Sequence, residues 1–170
     1  MLRTLRQVIK VGVVSERAAR PAGERPKESG LRAQIHQRFG RALGIRHVDA
    51  GSCNGCELEI HAVNNPYYNL EGFGIKFVAS PRHADLLLVT GPVSRHMESA
   101  LKRVYDATPD PKWVIAVGDC GCTGGIFGSG YAIRGSVADI IPVDLTVPGC
   151  PPPPAAILSG IVSVVTTDRR

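Results

Sequence analysis

The chain has 170 residues, of which 44% are apolar and 21% are charged, a composition that allows one ordinary buried core. No apolar run reaches the roughly 18 residues that a membrane-spanning helix needs. The net charge of +5 belongs to residues 1–46, which hold 11 Lys and Arg against 3 Asp and Glu, while residues 47–170 hold 9 against 12. The acidic remainder offers no basic face, which argues against nucleic acid as a partner.

Residues 1–44 are predicted to form a basic N-terminal arm that consists of an amphipathic segment and a linker. A basic amphipathic helix can lie on anionic lipid or dock on a partner, and a solvated tail is the alternative. Residues 22–27 are rich in Pro, Gly and charge, which is typical of a linker. The predicted helix has an apolar stripe and a basic stripe beside it: Leu2, Leu5, Ile9 and Val13 next to Arg3, Arg6, Lys10 and Arg17.

Residues 45–170 are predicted to form one α/β domain. Short apolar runs rich in Val and Ile predict buried strands at residues 45–50, 75–80, 85–90, 113–118 and 144–147. Helical stretches fit between or after them, at about 57–64, 94–106, 135–140 and 153–165. This alternation predicts a doubly wound, mostly parallel, flavodoxin-like sheet with helices on both faces.

Four cysteines lie in Gly- or Pro-rich turns, within the strings GSCNGCE, VGDCGCTGG and VPGCPPPP. Cys53 and Cys56 follow the first predicted strand, Cys120 the fourth and Cys150 the last. The carboxyl ends of parallel strands lie at one edge of the sheet, so we expect the cysteine loops to share one site there. We expect the chain in the cytosol or at a membrane's cytosolic face, where thiols stay reduced, so this pattern favours metal over disulfides.

Four thiolates suit either zinc or an iron–sulfur cluster. Structural zinc usually takes two C-x-x-C pairs, whereas here one pair is close and two cysteines come singly, a spacing that favours a 4Fe-4S cluster. Glycines beside each ligand let backbone N–H groups approach the sulfurs. A zinc-stapled assembly protein without a redox role is the alternative.

Five strings, in order along the chain, carry a family resemblance: GSCNGCELE, SPRHADLLLVTGPV, PDPKWVIAVGDC, GGIF and IPVDLTVPGCPPPPAAIL. They resemble the cluster-bearing small subunit shared by respiratory complex I, as its B or 20 kDa subunit, and nickel–iron hydrogenases. The resemblance covers roughly residues 45–165. It implies that Cys53, Cys56, Cys120 and Cys150 hold one 4Fe-4S cluster, which passes single electrons between a chain of clusters and the active site of a larger partner.

The first motif separates two branches of this superfamily. Complex I subunits typically have adjacent cysteines there, whereas Cys53-Asn54-Gly55-Cys56 is similar to the hydrogenases. The chain has no further cysteine sets for additional clusters, so it resembles the one-cluster small subunit of a membrane-bound, energy-converting hydrogenase of the formate hydrogenlyase type. A B subunit of a complex I-type NADH-quinone oxidoreductase, which passes electrons to quinone, is the alternative.

The resemblance also implies partners and a location. We expect a large catalytic subunit, either of the nickel–iron hydrogenase kind or similar to the complex I 49 kDa subunit, because this chain lacks the paired C-x-x-C motifs of a nickel–iron centre. A ferredoxin-like iron–sulfur subunit, membrane subunits and, in the quinone-reducing branch, quinone complete the expected partners. The expected location is peripheral, at the cytoplasmic face of the inner (cell) membrane.

Three further residues near the motif cysteines have open roles. Glu59 matches a family glutamate that faces the partner subunit, and it is expected either to relay protons or to accept backbone hydrogen bonds. Glu57 is interpreted as a carboxylate favoured at a helix N-terminus. The family pattern assigns the third ligand to Cys120, so Cys122 is predicted to be a bystander, with a ligand role as the alternative. The Gly-rich residues 124–130 are predicted to lie against the cluster or the partner, because they lack the lysine of a phosphate-binding loop.

Overall fold

The computed structural model describes residues 2–12 and 28–166 of the chain. The helices are α1 (Leu2–Val11), α2 (Glu28–Phe39), α3 (Gly55–Val63), α4 (Arg95–Ala107), α5 (Gly118–Thr123) and α6 (Pro154–Thr166). The strands are β1 (Leu43–Asp49), β2 (Ile75–Phe77), β3 (Leu86–Thr90), β4 (Val93–Ser94), β5 (Trp113–Val117), β6 (Ile133–Gly135) and β7 (Leu145–Val147). Short 3-10 helices cover Leu70–Phe73, Pro81–His83, Gly125–Phe127 and Val137–Asp139.

Five strands form one parallel sheet in the order β2-β1-β3-β5-β7. The predicted α/β class with a doubly wound parallel sheet is therefore confirmed. Side chains alternate across the central strand, since Leu86 and Leu88 pack on one face while Leu87 and Val89 pack on the other. Both faces are covered, which explains why the strand sequences are continuous apolar runs.

Helix α2 occupies part of the segment that the sequence patterns assigned to the N-terminal arm. Its Ile35 is buried in the core together with strand residues of the sheet, and the ring of Phe39 meets that of Trp113 edge-on at 5.6 Å between centroids. Only Leu31, Ile35 and Phe39 carry the apolar side, one residue per turn, which left the helix unrecognised in the sequence. The division of the chain at Gly44 stays a prediction about domain organisation.

Two predicted elements differ from the structure in extent or type. The strand predicted at 75–80 ends at Phe77, and a 3-10 helix begins at Pro81. The helical stretch predicted at 135–140 is shorter and of another type: β6 ends at Gly135, and a 3-10 helix covers Val137–Asp139 behind the capping box of Ser136 and Asp139. Strand β6 pairs antiparallel with β4 in a separate two-stranded sheet that the sequence did not predict.

Helix α1 coincides with the predicted amphipathic segment. Leu2 and Ile9 are 78% and 75% exposed, and the basic residues Arg3, Arg6 and Lys10 are exposed as well. Val13, Arg17 and the predicted linker at 22–27 lie outside the described residues. In the ranges that the structure covers, no helix has both the length and the apolar character that crossing a membrane requires.

Candidate metal centre

Four of the five cysteines lie beyond the carboxyl ends of the parallel strands. Cys53 lies in the loop after β1, Cys56 in the first turn of α3, Cys120 in α5 directly after β5, and Cys150 in the loop between β7 and α6. Cys53 and Cys150 are exposed, while Cys56 and Cys120 are partly buried. The topology thus gathers side chains from three distant segments at one edge of the sheet.

The electrostatics of these thiols reflect their proximity. Burial raises the pKa of Cys56 to about 12, and the charges of Glu57, Cys53, Cys120 and Cys150 contribute in the same direction. Burial also raises the pKa of Cys120, followed by the charges of Cys150 and Cys53. Four thiolates at this place therefore repel one another, and a bound metal cation is what would deprotonate them together.

Glycines bring bare backbone against two of the sulfurs. Gly118 has φ of +84°, and a Cβ there would lie 2.5 Å from Sγ of Cys56. Gly125 has φ of +57°, and a Cβ there would lie 2.7 Å from Sγ of Cys120. Within the described ranges no three His, Cys, Asp or Glu side chains are arranged to hold a metal ion. The fit to a four-cysteine cluster rests instead on the donor set and on this glycine cradle, where any side chain would displace a ligand.

Cys122 is oriented differently from the other four cysteines. Its thiol lies 3.6 Å from the carbonyl oxygen of Ala116, the acceptor of a weak S–H hydrogen bond, on strand β5. Burial is the main cause that raises the pKa of Cys122, and the charge of Asp119 adds to it, whereas none of the other cysteines contributes. The Cys122 thiol therefore lies against strand β5, and the ligand set Cys53, Cys56, Cys120 and Cys150 stays a prediction.

Glu57 takes part in a buried polar contact that sequence patterns did not reveal. It lies in the first turn of α3, as interpreted, but its side chain reaches between β1 and β3 and is only 7% exposed. Thr90 donates its hydroxyl to Oε1 of Glu57, and Nε2 of His47 lies 3.6 Å from the same oxygen. The other oxygen, Oε2, has no hydrogen-bond partner among the described residues. The sequence features that could have indicated this contact are two polar residues within the predicted strands, His47 in β1 and Thr90 in β3.

Glu59 is half-buried on the same helix, and within the described residues it makes no side-chain hydrogen bond or ion pair. Its role as a proton relay stays a prediction. His61, His83 and His96 are exposed and lie outside the cysteine group.

Exposed apolar side chains flank the cysteine loops. Ile126 is 94% exposed and Phe127 56% exposed, and both follow Gly125, which packs against Cys120. Leu58 on α3, two residues beyond Cys56, is 62% exposed. Several large apolar residues exposed around one site are typical of a surface that another protein covers.

A cavity of about 970 Å³ lies at the other edge of the sheet. It is lined by α2, by the residues directly before β1, by the 3-10 helix Leu70–Phe73 and by the start of β2. Its charged residues are mostly basic, with Arg32, Arg41 and Lys76 against Glu71. None of the cysteines lines this cavity.

Comparison with known families agrees with this geometry. The family model described as NADH ubiquinone oxidoreductase, 20 kDa subunit, matches residues 53–164, a range that contains all five cysteines. The chain belongs to this family. The resemblance that the five strings indicated is thereby confirmed.

Relatives in the 20 kDa subunit family come from several kinds of complex. A probable membrane-bound hydrogenase subunit mbhJ of Pyrococcus furiosus is 52% identical over 76% of this chain and 78% of that protein. Formate hydrogenlyase subunit 7 of Escherichia coli is 48% identical over 78% of this chain, which spans only 52% of that relative's length. The NADH-quinone oxidoreductase B subunit of Desulfovibrio desulfuricans is 45% identical over 73% of this chain and 67% of that protein.

A solved structure of the same fold is a chain of the membrane-bound sulfane sulfur reductase, an archaeal respiratory membrane complex. It is 33% identical, with a TM-score of 0.65 over 82% of this chain and 74% of that chain. The relatives of this chain are therefore subunits of oxidoreductase complexes, and the names of these complexes refer to different substrates.

Proposed function

We propose that this chain is the electron-transfer subunit of a membrane-associated oxidoreductase complex and carries one 4Fe-4S cluster beside the active site of a large partner subunit. The observation that carries the proposal is the placement of three cysteine loops at the carboxyl edge of one parallel sheet, with Gly118 and Gly125 packed against two of the sulfurs, in a chain of this family. The chain supplies ligands and a docking surface, and it is not a complete enzyme.

Cys53, Cys56, Cys120 and Cys150 would be the cluster ligands. Such a cluster, when bound, takes up and releases one electron at a time. The chain's own residues set its surroundings: Gly118 and Gly125 keep side chains away from the sulfurs, and Cys56 and Cys120 lie partly shielded from water. Both features support a site adapted to a bulky, anionic group bound by thiolates.

A large subunit is proposed to dock over the cysteine edge. The exposed side chains of Leu58, Ile126 and Phe127 support this position, because a partner that covers them removes large apolar areas from water. The catalytic metal is assigned to that partner, since Cys53-x-x-Cys56 is the only C-x-x-C pair in the sequence.

Among the possible complexes we propose an energy-converting nickel–iron hydrogenase. The Cys53-Asn54-Gly55-Cys56 motif supports this branch, as do the two relatives named as hydrogenase and formate hydrogenlyase subunits. The alternative is a complex I-type B subunit that passes electrons to quinone, which the 45% identical relative from an NADH-quinone oxidoreductase supports.

The proposed location is peripheral, at the cytoplasmic face of the cell membrane, next to membrane subunits and a ferredoxin-like iron–sulfur subunit. Helix α1 supports a surface contact, since its exposed Leu2 and Ile9 accompany exposed Arg3, Arg6 and Lys10. Apolar and basic residues together are the combination that binds anionic lipid or an acidic partner.

Elemental analysis of the native complex tests this proposal. The complex is purified through a tag on this chain, and iron, nickel and zinc are measured per chain. Iron with nickel is the result expected for a hydrogenase, and iron without nickel would favour the quinone-reducing branch. Zinc without iron would contradict electron transfer in both branches and would instead support a zinc-stapled assembly protein.

A further inference from the structure

We propose that Asp119 is a positioning residue whose side chain fixes the Cys120 loop and the Cys150 loop relative to one another. The inference rests on the proposed function, because it concerns two of the four cysteines assigned there as ligands. Asp119 itself would bind no metal, and its role would be to hold the backbone from which the ligands project.

The contact between the two loops is reciprocal. The backbone N–H of Asp119 donates to the carbonyl oxygen of Gly149 at 2.9 Å, and the N–H of Gly149 donates to Oδ1 of Asp119 at 2.7 Å. The two residues are 30 positions apart in sequence and each directly precedes a cysteine. Two hydrogen bonds between the same pair of residues fix both distance and direction, so Cys120 and Cys150 start from a set relative position.

The backbone around Asp119 and Gly149 also packs closely against Cys56, a third proposed ligand. A Cβ on Gly149, where φ is +135°, would lie 2.7 Å from Cα of Pro152. A Cβ on Gly118 would lie 3.4 Å from the carbonyl oxygen of Gly149 and 2.5 Å from Sγ of Cys56. The peptide that leads into Asp119 is therefore wedged between Cys56 and the Cys150 loop, and a shift of Asp119 would move all three.

The side chain of Asp119 makes this contact through a single oxygen atom. What the carboxylate provides is an acceptor, Oδ1, at hydrogen-bond distance from the Gly149 N–H. Asparagine carries an equivalent oxygen without the charge, so substitution by Asn separates geometry from charge.

A second aspartate offers a matched control. Asp144 makes the same reciprocal contact between the same two strands at their other end: its N–H donates to the carbonyl oxygen of Val114 at 2.9 Å, and the N–H of Val114 donates to Oδ2 of Asp144 at 2.7 Å. These partners are also 30 residues apart, but neither adjoins a cysteine. Asp144→Ala therefore removes the corresponding side-chain acceptor, leaves the backbone hydrogen bond in place as Asp119→Ala does, and does not touch the ligand loops.

The experiment compares Asp119→Ala, Asp119→Asn and Asp144→Ala in the complex purified through a tag on this chain. Three quantities are measured: iron per chain, the line shape of the electron paramagnetic resonance spectrum after reduction, and hydrogen exchange at the Gly149 amide. We expect Asp119→Ala to lose the iron of this one cluster or to broaden its signal, with about tenfold faster exchange at Gly149, because that amide loses its acceptor. Asp119→Asn and Asp144→Ala are expected to keep the iron, the line shape and the Gly149 protection of the parent chain.

Two results would overturn the inference. One is an Asp119→Ala complex whose iron content and line shape match those of Asp144→Ala. The contact between Asp119 and Gly149 would then stabilise the fold without positioning the ligands. The other is an Asp119→Asn complex that loses iron or Gly149 protection, and this test holds even where Asp119→Ala does not accumulate. Failure of the proposed function looks different, since the parent complex would then contain no iron while hydrogen exchange still reports on the contact.

Discussion

Strands β5 and β7 are joined at both ends by a reciprocal pair of hydrogen bonds to an aspartate. The residues around the two contacts nevertheless differ in kind. At the amino edge Asp144 pairs with Val114, and a basic cavity of about 970 Å³ lies at the same edge of the sheet, beside β1 and β2. At the carboxyl edge Asp119 pairs with Gly149 between cysteine loops. The backbone hydrogen bonds are the same at both edges of the sheet. The cysteines at one edge and the basic residues at the other therefore come from the loops and helices next to the strand ends.

The loops at the two edges also differ in what they leave room for. At the cysteine edge, Gly118 and Gly125 face sulfurs at distances that forbid a side chain. Elsewhere Gly40, which ends helix α2 with φ of +67°, has nothing within 4 Å of a Cβ position. A positive φ alone is therefore a turn requirement, whereas a positive φ beside a sulfur is a requirement of the site.

The largest expected effect comes from removing a thiol of the proposed ligand set. Cys150→Ser is expected to abolish the cluster, with the iron content of the complex falling by the amount that one 4Fe-4S cluster contains, because a serine hydroxyl does not replace a thiolate ligand. Cys122→Ser is the control, since its thiol contacts the Ala116 carbonyl instead, and it is expected to keep the iron. Loss of iron in Cys122→Ser would show that the ligand set is wrong.

Gly118→Ala ranks next. The new Cβ would meet Sγ of Cys56 at 2.5 Å in a left-handed backbone, so we expect the free energy of unfolding to fall by about 2–4 kcal/mol from overpacking and strain together. Gly40→Ala meets open space at a similar φ and is expected to cost about 1 kcal/mol. Denaturant unfolding measures both variants, and equal losses would mean that the sulfur contact plays no part.

A smaller effect is expected at the proposed docking surface. Phe127→Asp puts a charge where a partner is proposed to cover an aromatic ring, and it should weaken retention of the large subunit about tenfold, since burying such a side chain contributes about 1.5–3 kcal/mol. Tyr67→Asp is the control, because Tyr67 is 64% exposed and Phe127 56%, while Tyr67 lies beyond the end of α3. Salt and detergent washes of the tagged complex measure retention. Equal loss in both variants would remove this surface from the proposal.

The smallest effect concerns pH and the buried contact of Glu57. Burial lowers the pKa of His47 below its ordinary value of 6.5, although the charges of Glu57 and Asp49 oppose this. Between the lowered pKa and 6.5 the unfolded chain binds more protons than the folded chain, so stability falls as pH falls through this window. His47→Gln should flatten the decline in Tm below pH 6.5. If Tm declines with the same slope in His47→Gln, titratable groups other than His47 cause the decline.

Sequence patterns predicted the sheet well because its strands are buried on both faces. Continuous apolar runs such as Leu86–Thr90 and Trp113–Val117 are hard to place anywhere but in a covered parallel sheet. The common edge of the cysteine loops followed from topology, since parallel strands end on the same side. Both predictions depend on local composition and chain order, which the sequence contains in full.

Other features depend on distant pairing and left only weak signals. Helix α2 has one apolar residue per turn, and its place in the core depends on packing against Trp113 and the sheet. The pairs Asp119 with Gly149 and Asp144 with Val114 each join residues 30 positions apart, so no spacing rule indicates them. Thr90 and His47 meet Glu57 only because β1 and β3 are neighbours in the sheet.

Electron paramagnetic resonance at low temperature, on the reduced native complex, tests the central claim most directly. The decisive measurement compares the parent complex with Cys150→Ser and Cys122→Ser. One 4Fe-4S signal that is absent from Cys150→Ser and unchanged in Cys122→Ser is the result predicted here. A parent signal that persists unchanged in Cys150→Ser would contradict the claim that these four cysteines hold a cluster, because the signal would then belong to another subunit.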